Sequence, residues 1–75
     1  MNNNDRYNKA FRTNPREAAA LAIEFSAGCG SRSNAWNWAH LARAAAAEIG
    51  IDLDCGTDSW PDLDAMTRQL EAVAP

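Results

Sequence analysis

The chain is poor in the side chains that usually announce a chemistry. Its 75 residues hold one histidine and two cysteines. Nucleophilic catalysis needs a nucleophile, a base and an orienting group. One histidine beside Cys29 or Cys55 could supply only a single such set, and a chain this short has little core with which to wall off a pocket. No catalytic residue is assigned, and no enzyme activity is expected. Long hydrophobic runs are also missing. The longest apolar stretch, Ala18 to Ile23, is far short of the ~20 residues that span a bilayer. The start, MNNNDRYNK, has no apolar segment of the kind a secretory signal carries. A soluble, cytoplasmic protein is the expectation, with no membrane contact.

Shortness sets a further bound. A chain of this length buries only ~60% of its unfolded surface, so residues 1–75 read as a single small domain. Cys29 and Cys55 could close one disulfide. Reducing compartments keep thiols free, so free cysteines are favoured and a bridge is left open.

What is present is mostly helix signal. The first four residues, Met1 to Asn4, read as frayed. Tyr7, Ala10 and Phe11 share one face of a short helix over Asp5 to Arg12. Asn14-Pro15-Arg16-Glu17 marks a second helix start: Asn14 caps, Pro15 takes the first helical position, and Glu17 sits where a capping-box acid belongs. Ala18, Leu21, Ala22 and Phe25 form its apolar stripe, with Ile23 at the margin, and Gly28 ends it. Ser33 or Asn34 caps a third helix running to about Ile49, before Gly50. Its expected buried stripe is Trp38, Leu41, Ala42, Ala45 and Ile49, while Trp36, His40 and Arg43 lie on another face. Ile51 and Leu53 alternate with Asp52 and Asp54 in a short extended connection. Ser59 is expected to cap a last helix from Trp60 to about Val73, with Pro61 in its first turn. Trp60, Leu63, Met66, Leu70 and Val73 form the stripe. The predicted fold is all-α, a small compact bundle of three main helices plus a short N-terminal one.

Charge is unevenly spread. Residues 1–47 carry a net +3 and residues 48–75 a net −6, within a total of −3. The acids concentrate in Glu48, Asp52, Asp54, Asp58, Asp62 and Asp64. A calcium loop starting at Asp52 fails, because Gly56, Thr57 and Leu63 fall where an oxygen ligand, a glycine and a glutamate are needed. Zinc needs about four convergent ligands. Cys29, Cys55 and His40 are the only soft candidates, and no pair has hairpin spacing. No metal or cofactor is expected.

Gly56-Thr57-Asp58-Ser59-Trp60 resembles the Asp-Ser-Leu segment of acyl carrier proteins, where the serine opens a helix and takes a phosphopantetheine arm. The likeness covers about fifteen residues at most. Trp60 replaces the leucine, and the chain ends sixteen residues after Ser59. A helix cap explains Ser59 with fewer assumptions.

Two binding classes remain. A helix-turn-helix through Gly28–Arg32 would present one arginine and two tryptophans on its second helix, too few phosphate and base contacts. The basic residues lie at Arg6, Lys9, Arg12 and Arg16 instead, and the net negative charge disfavours nucleic acid. That option, a small transcriptional regulator using a basic N-terminal face, is the alternative. The favoured expectation is a partner protein with a basic surface. Asp52, Asp54, Asp58, Asp62 and Asp64 would meet it, with Trp36 as an anchor and Arg6, Lys9 and Arg12 adding contacts. A homodimer is left open. In size, acidity and lack of chemistry the chain resembles small inhibitors encoded by phages and mobile elements, such as anti-CRISPR proteins. The likeness is one of general character, shared with immunity proteins and antitoxins, and transfers no residue.

Overall fold

The computed structural model describes residues 1–73; positions 74 and 75 of the expected domain lie outside it. Four helices form among the described residues: α1 over Asn3–Thr13, α2 over Pro15–Ala27, α3 over Arg32–Ala47 and α4 over Leu63–Ala72. The all-α expectation holds. α2 is the hub, packing against each of the other three.

Caps explain the boundaries. Asn2 accepts from the Asp5 N–H at 2.8 Å, so α1 starts at Asn3 rather than Asp5. Asn14 caps α2 as expected, accepting from the Glu17 N–H at 3.4 Å, with Pro15 in the first turn. Ser31, not Ser33 or Asn34, caps α3, accepting from the Asn34 N–H at 3.2 Å. α3 closes through Gly50, whose φ of +76° lets the Ile51 N–H reach back to the Ala46 carbonyl at 3.0 Å. A side chain would strain that left-handed position, which is why a glycine stands there.

The largest boundary correction is at α4. Ser59 does not cap it, and Trp60 and Pro61 are not helical. Asp62 is the cap, accepting from the Ala65 N–H at 3.0 Å. A residue before proline is pushed to extended backbone, so the helix cannot begin at Trp60. The geometry that a carrier-protein serine needs, at the opening of a helix, is absent with it.

The apolar stripes are rotated from expectation. In α2 the buried residues are Ala18, Ala19, Ala22, Ile23 and Ser26, while Leu21 and Phe25 are half-buried. In α3 they are Ala35, Ala39, Ala42, Ala45 and Ala46; Leu41 and Ile49 are exposed and Trp38 is half-buried. Alanine decides this. Two helices faced with Cβ methyls approach closely and gain dense backbone contact, and bulky side chains would hold them apart. The large residues move to the rim, where Trp38 meets Phe25 edge-on at 4.9 Å and Tyr7 at 6.0 Å. Within this seam Ser26 is buried and donates its hydroxyl to the Ala35 carbonyl at 2.7 Å, which satisfies its polar atom. Tyr7 likewise donates to the Leu41 carbonyl at 2.7 Å, tying α1 to α3. Burial pushes the Tyr7 hydroxyl above its ordinary pKa.

Candidate functional site

The connection from Glu48 to Asp62 carries five of the ten acidic residues, and its shape follows from alternation. In an extended chain successive side chains point to opposite sides. Ile51, Leu53 and Cys55 are buried, and Asp52 and Asp54 between them are exposed. The expected inward pair, Ile51 and Leu53, is as read from sequence. The Asp54 N–H donates to the Gln69 amide oxygen at 2.8 Å, so α4 holds the segment from its other side.

From Cys55 the chain makes a closed loop. The Asp54 carboxylate accepts from the Gly56 N–H at 2.9 Å, and the Asp62 N–H donates to the Cys55 carbonyl at 2.9 Å. Gly56 has φ +78°, and a Cβ there would lie 3.4 Å from the Asp62 Cβ, so the loop closes tightly on a glycine. The Trp36 indole N–H on α3 donates to the Ser59 carbonyl at 2.8 Å and fixes the far side of the loop. His40, one turn on, lies against Trp36 with ring centroids 5.7 Å apart. Pro61 is buried, and Trp60 beside it is 49% exposed.

The two cysteines are free thiols. Burial pushes the Cys55 thiol up, Asp54 adds to the rise, and Arg43 opposes it. A thiol that keeps its proton is a poor nucleophile and a poor ligand, so Cys55 serves as a small apolar side chain. Among the described residues no three His, Cys, Asp or Glu side chains converge in a group that could hold a metal ion.

The structure gathers some of the expected site residues and separates others. Asp52, Asp54, Asp58, Asp62 and Asp64 are all exposed on the connection and the first turn of α4. The Asp54 carboxylate holds the loop and the Asp62 carboxylate caps α4, so both are partly committed. Trp36 is a half-buried brace for the loop rather than a free anchor. Lys9 and Arg12 are exposed on α1, and the Arg6 guanidinium lies 5.2 Å from the Phe25 ring centroid. Arg16, expected on the same basic edge, instead reaches α4. It donates to the Leu70 carbonyl at 2.8 Å and to the Val73 carbonyl, filling carbonyls that a helix end leaves without partners. No ion pair among the described residues joins Arg6, Lys9 or Arg12 to the acidic connection.

Sequence reasoning passed over Trp60 as an exposed residue. The signal was present in Pro61, which keeps Trp60 out of a helix, but periodicity assigned it to the α4 stripe. The chain matches no protein-family model, no curated protein and no solved structure.

Proposed function

We propose that this is a non-catalytic protein that acts by binding another protein, with the closed loop from Cys55 to Asp62 as its docking surface. One observation carries the reading: a half-exposed tryptophan, Trp60, stands on a loop fixed at both ends and flanked by the exposed Asp58 and Asp62. Tryptophan is enriched among interface anchors, and a loop ordered before binding loses little entropy on docking. The carboxylates around it suit a basic surface and would speed encounter. Occupying such a surface would inhibit or modulate the partner, the mode of the small phage-encoded inhibitors to which the composition bears a general likeness.

The competing reading, phosphate contact through α1 by a small nucleic-acid-associated regulator, has fewer side chains behind it. Arg6, Lys9 and Arg12 are exposed, with Arg6 placed over the Phe25 ring, whereas Arg16 holds α4.

The test is affinity capture from the native cell with the wild type, with Trp60→Ala and with Asp52→Lys/Asp58→Lys. Both variants spare the hydrogen bonds that close the loop. A protein retained by wild type and lost from both, with helix content unchanged by circular dichroism, is the expected result. Retention of the same proteins by all three would remove the loop from the interface.

A further inference from the structure

The molecule carries two surfaces of opposite sign that do not neutralise each other. On α1, Lys9 and Arg12 are exposed and make no ion pair among the described residues. On the connection, Asp52 and Asp58 are exposed and make no hydrogen bond among the described residues. The same division runs through the sequence, a net +3 up to residue 47 and a net −6 beyond it. Folding left these charges unpaired, although α1 and the connection belong to a slab only 30 × 30 × 14 Å across.

We infer that the basic face of α1 docks on the acidic connection of a second copy of this chain. Charge complementarity selects the occupant. The face of α1 calls for a carboxylate-bearing surface, and the chain supplies one on every copy. A polyanion such as nucleic acid would meet only a few cations and an overall charge of −3. Two copies related by a two-fold axis can satisfy both contacts at once, each offering α1 to the other's connection. Single contacts between exposed charges are weak, so the association is reversible and strongly screened by salt. The inference builds on the reading above, because it uses the same acidic connection. It adds that a second copy and the partner protein compete for it, so self-association limits the free form.

Charge exchange tests this directly. Sedimentation velocity of the wild type should show dimer at about 0.01 M salt and monomer at about 1 M, as the screening length falls from ~30 to ~3 Å. Lys9→Glu/Arg12→Glu and Asp52→Lys/Asp58→Lys should each weaken the low-salt dimer at least tenfold. The quadruple variant combining them keeps the wild-type net charge of −3. It should dimerise again only if the two surfaces meet. Circular dichroism of each variant separates lost docking from lost folding. A wild type that stays monomeric at low salt, or a quadruple variant that stays monomeric while folded, overturns the proposal. A wild type that stays monomeric at low salt yet binds a short DNA duplex through Lys9 and Arg12 would assign α1 to phosphate instead. Partner capture that still depends on Asp58 while dimerisation fails would leave the docking-loop reading standing without this one.

Discussion

Between α2 and α3 the buried side chains are nearly all alanine, joined by Ile23 and Ser26. Along the connection they are Ile51, Leu53, Cys55 and Pro61. The largest fully buried side chains of the molecule are Leu53 and Met66, one on the connection and one on α4. The helical seam gains its stability from close approach and high helix propensity, with little apolar volume per residue. The connection is not itself helical, so it is fixed by inward apolar side chains, by a hydrogen bond from the Trp36 indole and by one from the Asp54 N–H to the Gln69 amide oxygen. The difference teaches how an irregular segment stays ordered: from Ile51 to Cys55 every second residue is an anchor, and the residues between are acidic and exposed.

That contrast can be broken at several points. Leu53→Ala empties the main anchor of the connection and should cost about 2–5 kcal/mol in denaturant unfolding. A loss well under that range would mean the connection is not fastened by its side chains. Ala42→Leu forces extra volume into the seam and should cost about 1–3 kcal/mol, whereas Ala44→Leu, on the exposed side of the same helix, should stay within about 0.5 kcal/mol. Equal effects would show that the stripe has been misplaced.

Asp62→Ala removes the cap of α4 and should cost about 0.5–2 kcal/mol. Ser59→Ala should be close to neutral, since the Ser59 carbonyl, not its hydroxyl, accepts from Trp36. The reverse ranking would restore Ser59 as the cap. Trp36→Phe keeps the ring but loses the indole donor, at about 0.5–1.5 kcal/mol. Its clearer effect should be faster amide exchange in the loop from Cys55 to Asp62, with the helices unchanged.

The smallest effect concerns pH. Tyr7 and Cys55 hold their protons more tightly when folded than when unfolded. Their contribution to stability is complete below the ordinary thiol value of 9.0 and is lost as pH rises through the higher folded values. Unfolding followed across that window should show a fall that Cys55→Ala reduces. An unchanged fall would place the loss elsewhere.

Much of the candidate site was legible before folding. The alternation of Ile51 to Asp54 showed which side chains turn inward, and the run of acids was visible as a run. What could not be read was which carboxylates the loop and the α4 cap would use. Asp54 and Asp62 were indistinguishable from Asp52 and Asp58 until Gly56 and Ala65 were seen to donate to them. Trp36 and Trp60 exchanged roles for a similar reason. Helical phase placed Trp36 off the stripe, but its donor found a carbonyl 23 residues away, a contact that no local pattern encodes.

By itself the sequence determined the helical class, the cap at Asn14, the glycine stop at Gly50 and the division of charge between its two parts. Each of these depends on neighbours within a few residues or on composition. The tertiary structure decided the rest. It rotated the stripes of α2 and α3 onto alanine, because close packing of two helices rewards small side chains over the most hydrophobic ones. It turned Arg16 onto the end of α4 and left Trp60 in solvent. Those outcomes depend on which surfaces meet across the chain, and spacing along the chain does not contain that information.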